Sequence, residues 1–169
     1  MLRSLLLGTL IVPLLVACGD DSKGNPENGD PTKVTYADSL NVNLADMEVT
    51  ARGVYYDDLP VGTGAEATRF RRVRVHYTGY LPNGTRFDSS EGGPPIAFTL
   101  GSGEVIDGWD EGLLGKQNPD DPNDTDGIKV GGRRRLIIPA SLAYGEDGVS
   151  GVIPPYSVLI FDTELMSVD

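Results

Sequence analysis

Three side chains in the stretch VHYTGYLPNGTRFDSS, Val75 to Ser90, raise the first chemical question. Tyr77, Phe87 and Asp88 fall on two short strand-like runs on either side of an Asn83-Gly84 turn. A fold does not by itself require a phenol, a phenyl ring and a carboxylate so close together. A concave apolar site with one or two polar handles does. Reactive groups are scarce elsewhere. The chain has one histidine, His76, inside an alternating run whose parity turns it away from Tyr77, and one cysteine, Cys18. A Ser-His-Asp or Cys-His constellation therefore has little support. No cluster offers three or four zinc ligands. Gly101-Ser102-Gly103 is too short for a phosphate loop. What remains is binding, or a reaction that breaks no covalent bond.

The elements that must hold those side chains can be read from the pattern. Val73, Val75 and Tyr77 alternate with Arg72, Arg74, His76 and Thr78, the period of a half-buried strand. Val54 to Tyr56, Ile96 to Leu100, Leu136 to Ile138 and Val158 to Leu165 give further strands, and Pro82-Asn83-Gly84 is a hairpin signal. One brief helix begins at Asp107 as N-cap, with Trp109 and Leu113 on one face. The expected fold class is α+β: a mostly antiparallel sheet around one short helix. Arg133-Arg134-Arg135 is expected on the strand surface.

The chain has 169 residues, is 39% hydrophobic and carries a formal net charge of −11. That size suits one domain with appendages. The charge disfavours a nucleic-acid partner. Residues 117–127, QNPDDPNDTDG, form an acidic insertion. Calcium-loop spacing fails there, because Pro122 would occupy the first ligand position, so a solvated loop is expected. No metal and no cofactor is expected.

The N-terminus has the features of a targeting segment. Arg3 precedes an apolar stretch from Leu5 to Ala17, shorter than the roughly 20 residues of a spanning helix. It ends in Leu15-Val16-Ala17-Cys18, which resembles a bacterial lipobox. Residues 1–17 are then a lipoprotein signal peptide, and Cys18 is the lipidated residue at the head of a flexible polar tether over 18–32. The expected location is extracytoplasmic: anchored to a bacterial membrane, on the periplasmic side of the outer membrane or at the cell surface. Residues 33–50 carry scattered apolar side chains that suit an added strand or a loosely lying segment, and the spacing does not choose between them. The domain proper is assigned to 51–169.

Four stretches, VHYTGYLPNGTRFDSS, GEVIDGWDEGLLG, SLAYGEDG and GVIPPYSVLIFDTEL, resemble in sequence and order the FKBP-type peptidyl-prolyl cis-trans isomerases, over residues 51 to 166. The resemblance implies a prolyl isomerase acting on proline-containing, unfolded or nascent exported polypeptides, with a macrocycle as a possible ligand. It makes Trp109 the pocket floor and Tyr77, Phe87, Val105, Ile106 and Phe161 its walls. It gives the Ile106 N–H and the Tyr144 hydroxyl to the substrate, and has Asp88 polarise the amide or order Tyr77. The Glu104 carbonyl falls at the rim, and Val152 and Ile153 form a lip ahead of Pro154-Pro155. Tyr77, Phe87, Asp88, Tyr144 and Phe161 are the catalytic set. Each has a plain structural alternative: core for Phe161 and Val105, a helix anchor for Trp109, a turn cap for Asp88. Two departures stand out. Ile96 replaces a frequent aromatic, and no arginine follows Ser90 to pair with Asp88. An FKBP-like peptide-binding or chaperone module with little turnover is the alternative function.

Overall fold

The computed structural model describes residues 29–114 and 127–169. The expected signal peptide, Cys18 and nearly all of the acidic insertion lie outside the described residues. Among these residues seven strands form one antiparallel sheet: β1 (Glu48–Val49), β2 (Tyr55–Asp58), β3 (Arg72–Tyr80), β4 (Arg86–Ser89), β5 (Ile96–Thr99), β6 (Arg133–Ile138) and β7 (Leu159–Val168). Their spatial order is β1-β2-β6-β7-β3-β4, with β5 on β3 as well. Arg72 to Val75 pair with β5, and Thr78 to Tyr80 pair with β4. The far edge of β3 is thus divided between two strands, and both bring side chains to one end of the sheet. This is the α+β arrangement expected from the alternation.

The inner face follows from strand parity. Val73 and Val75 on β3, Leu136 and Ile138 on β6, and Leu159, Phe161 and Leu165 on β7 point to a single buried core. Helix α1 (Asp107–Leu113) lies across this face through Trp109 and Leu113. A Cβ on Gly112 would come within 2.6 Å of Leu136 Cδ2, so the glycine lets the helix sit directly on β6. The N-cap is Ile106 rather than Asp107. Asp107 is already helical, and Arg52 Nη2 donates to its carboxylate at 2.8 Å.

The same parity corrects the expectation for the arginine triplet. Arg134 shares its orientation with Leu136 and Ile138 and is 2% exposed. Its Nε and Nη2 donate to the two carboxylate oxygens of Asp58 at 2.7 and 2.8 Å, its Nη1 to the Gly112 carbonyl at 2.9 Å, and the guanidinium lies over the Tyr56 ring. Arg135, on the other face, donates to both oxygens of Asp162.

Residues 33–50 contribute little strand and do not lie loosely. Three single-turn 3₁₀ helices, Pro31–Lys33, Asp38–Leu40 and Leu44–Asp46, lead into the two-residue β1. They bring Leu40, with Val34, Tyr36, Val42 and Leu44, onto the outer face of the sheet over Ile137 and Ile160. Two polar contacts fix this layer: Arg135 Nη1 donates to the Leu40 carbonyl at 2.6 Å, and the Ala37 amide donates to the Pro82 carbonyl at 2.8 Å. Pro31 is buried, so packed structure begins before the expected end of the tether at residue 32.

Candidate active site

The divided edge of β3, the first turn of α1 and the 139–157 segment meet around a cavity of about 200 Å³. Strand β3 supplies Tyr77, β4 supplies Phe87 and Asp88, the start of β5 supplies Ile96, and β7 supplies Phe161. The loop ahead of α1 adds Glu104, Val105 and Ile106, the helix adds Trp109, and the 139–157 segment adds Tyr144. The structure thus brings together residues from seven separate parts of the chain that the sequence reading had grouped.

Four rings form the wall. Trp109 meets Tyr77 at a centroid distance of 5.1 Å and Phe161 at 5.3 Å, both nearly perpendicular. Phe87 meets Phe161 edge-on at 5.5 Å, and Tyr77 lies 6.1 Å from Phe161. These edge-to-face geometries suit the ring quadrupoles. Gly79, which the sequence reading passed over, makes them possible. A Cβ there would lie 2.6 Å from Phe87 Cζ and 2.8 Å from Phe161 Cε1, so both rings rest on bare backbone. The available signal was a glycine inside an alternating strand, which marks close approach. Trp109 is 3% exposed, and among the described residues its indole N–H is the one buried side-chain polar group without a hydrogen-bond partner.

Asp88 has its partners in the hairpin. The Tyr77 hydroxyl donates to Oδ2 at 2.6 Å, and the Ser89 amide donates to Oδ1 at 2.8 Å. Its partners here are a phenol and a backbone N–H. Arg86 reaches Glu91 instead. Burial, the bond to Asp88 and the Asp88 charge together push the Tyr77 phenol up from 10.0 to about 12. A raised folded value means that the neutral phenol stabilises the fold fully below about pH 10, and that this contribution fades as pH rises toward 12. Ultraviolet titration is therefore expected to show a tyrosine step near pH 12 that is missing in Tyr77→Phe and displaced downward in Asp88→Asn. An unmoved step in Asp88→Asn would remove the carboxylate from the account.

Asp110, also missed, holds the rim. Its Oδ1 accepts from the Gly101 amide at 2.8 Å and its Oδ2 from the Gly103 amide at 3.4 Å, which ties the loop carrying Glu104, Val105 and Ile106 to α1. The Ser102 hydroxyl bonds the exposed Glu104 carboxylate and holds it below its usual range. Tyr144 is 41% exposed at the mouth. Val152 and Ile153 do not line the cavity. Val149 and Ile153 exchange backbone bonds at 2.7 and 2.8 Å, a turn that drives Ile153 into the core and leaves Val152 in solvent. His76 faces the other side and pairs with the Ser90 hydroxyl. A larger hollow there, about 310 Å³, is lined by charged groups including Arg133, Asp162 and Glu164 and contains none of the packed rings except Tyr77.

Among the described residues an antiparallel sheet thus packs over one short α-helix, with a ring-walled hollow at the helix start. Residues 64–166 match the family model described as FKBP-type peptidyl-prolyl cis-trans isomerase, and the chain belongs to that family. It is 46% identical over 117 residues to an FK506-binding protein of Neisseria meningitidis serogroup B, covering 69% of this chain and 96% of that protein. Among solved structures it is similar to AtFKBP13, with a TM-score of 0.66 and 41% identity over 73% of this chain and 99% of that one. It is also similar to FkpA from Escherichia coli, with a TM-score of 0.62 and 35% identity over 78% and 55%.

Proposed function

We propose that the protein accelerates rotation about Xaa-Pro bonds in exported polypeptides, by non-covalent stabilisation of the twisted amide in the ring-walled cavity. The observation that carries this reading is the set of four mutually packed rings with the hydrogen-bonded Tyr77–Asp88 pair among them. The planar amide resists rotation by about 18–20 kcal/mol because of resonance. Twisting localises the nitrogen lone pair and makes the amide less dipolar. An apolar hollow thus favours the twisted state over the planar one, with no nucleophile involved.

In this reading the proline ring stacks on the Trp109 indole between Tyr77 and Phe161. The Ile106 N–H and the Tyr144 hydroxyl bond substrate carbonyls. Asp88 keeps the Tyr77 ring oriented and places a carboxylate beside the twisting bond. Each tenfold gain requires about 1.4 kcal/mol of differential stabilisation. A single buried hydrogen bond, worth about 1–3 kcal/mol, supplies one or two decades, so several contacts must act together.

A protease-coupled assay on a proline tetrapeptide tests the reading. The Tyr144→Ala, Phe161→Ala double variant is expected to lose most of the wild-type catalytic increment. Equal rates would leave a peptide-binding module with little turnover. The same proposal places the enzyme outside the cytoplasm on a lipid anchor at Cys18, supported by the Leu15-Val16-Ala17-Cys18 motif. Detergent-phase partitioning of the full chain that is unchanged in Cys18→Ala would remove the anchor.

A further inference from the structure

We propose that Gly29 is a positioning residue for Tyr144, acting through Ala140 from the far side of the loop; this rests on the reading above that Tyr144 contacts substrate. Gly29 is buried, with φ +68. A Cβ there would overlap the Ala140 methyl and come within 3.0 Å of the Tyr156 carbonyl oxygen. Ala140 is 1% exposed. Its carbonyl accepts from the Ala143 amide at 3.0 Å and the Gly145 amide at 2.9 Å, the two residues that flank Tyr144. The Gly145 carbonyl in turn accepts from the Tyr156 amide at 2.7 Å. Gly29 therefore touches both ends of a short hydrogen-bonded chain with Tyr144 in its middle.

The loop depends on such support. Tyr144 forms no ring pair with the four wall aromatics among the described residues, and it reaches the cavity from a loop held by these backbone bonds. Gly29 is itself anchored. The Asp30 carboxylate accepts from the Thr32 amide at 2.9 Å, Pro31 is buried, and the Tyr36 hydroxyl donates to the Pro31 carbonyl at 2.9 Å. Tyr36 belongs to the layer that packs on the outer sheet face. A segment that precedes the family-matched residues thus bears on the loop at the mouth of the cavity. Only glycine combines that left-handed backbone with the absence of a side chain at the contact.

The test uses the full chain with Gly29→Val. Amide hydrogen exchange at Gly145 and Tyr156 is expected to quicken by about tenfold while the amides of β3 and β7 keep their protection. In the coupled assay kcat/KM is expected to fall about three- to tenfold, and the fall is expected to vanish in a Tyr144→Phe background. Unchanged exchange at Gly145 and Tyr156 would overturn the proposal. So would a fall of the same size in the Tyr144→Phe background, which would mark a general loss of structure. If Gly29→Val does not fold, Tyr36→Phe decides. It is expected to move the same two amides by a smaller factor, and no movement would overturn the proposal. A Tyr144→Phe enzyme as fast as wild type would instead defeat the substrate contact assigned to Tyr144. The exchange data would still report whether Gly29 holds the loop.

Discussion

Phe161→Ala is expected to lower kcat/KM by about one to two orders of magnitude, equivalent to about 1.4–2.8 kcal/mol, and to cost about 3–5 kcal/mol of stability. Phe161 is 4% exposed on β7, with Gly79 on one side and Leu136 on the other. It contacts three of the rings that shape the cavity: Tyr77, Phe87 and Trp109. Each well-oriented ring pair contributes about 0.5–1.5 kcal/mol beyond area burial, so truncation removes part of the wall and unseats the remaining rings. The stability loss is read from urea titration and the catalytic loss from the coupled assay at a temperature where the variant is folded. Phe161→Leu separates the two effects: it retains much of the buried volume and loses the ring pairs. A leucine variant with the full wild-type rate would show that ring character is irrelevant. An alanine variant with that rate would remove Phe161 from catalysis altogether.

Asp58→Ala is expected to destabilise the fold by about 3–5 kcal/mol, more than its partly exposed position suggests. The carboxylate is the bidentate partner of Arg134, whose side chain is 1% exposed. Without it the buried guanidinium loses its bidentate carboxylate, and the cost falls on the arginine. The Asp58→Leu, Arg134→Met pair is expected to recover most of the loss, because burying neither charge is close to neutral. Urea titration of the three variants checks both statements. A loss below about 1 kcal/mol for Asp58→Ala would show that the guanidinium does not depend on this carboxylate. The effect should extend to the cavity, since Arg134 also bonds the Gly112 carbonyl in the helix that carries Trp109.

The fold was legible where side-chain alternation and burial agree. On β3 the run Val73, Val75, Tyr77 gives both the strand and its inner face, and on β7 the same holds for Leu159 and Phe161. Arg134 was misjudged because three consecutive arginines suggest solvent, although parity set the middle one beside Leu136 and Ile138. Its counter-charge lies 76 residues away, beyond the reach of any local pattern. The outer layer was illegible for a different reason. Each 3₁₀ turn reorients the chain, so Val34, Tyr36, Leu40 and Leu44 converge on one surface without a period. In the site, Tyr77, Phe87, Trp109 and Phe161 were legible as apolar rings in recognisable stretches. Gly79 and Asp110 were not, because one acts by having no side chain and the other through backbone amides that no motif displays. Ile153 was misplaced because the Val149 turn folds it inward.

The outer face carries a continuous apolar row, Tyr55–Ile137–Ile160–Tyr80, under the leading 3₁₀ turns. A protease cut between that layer and β2 would strip the cover and leave a greasy stripe facing water. A cut after β2 would also discard the carboxylate opposite Arg134. Clipping the chain there would then yield a self-adhesive fragment, and the loss of the cover and the exposure of the apolar row would come in one event.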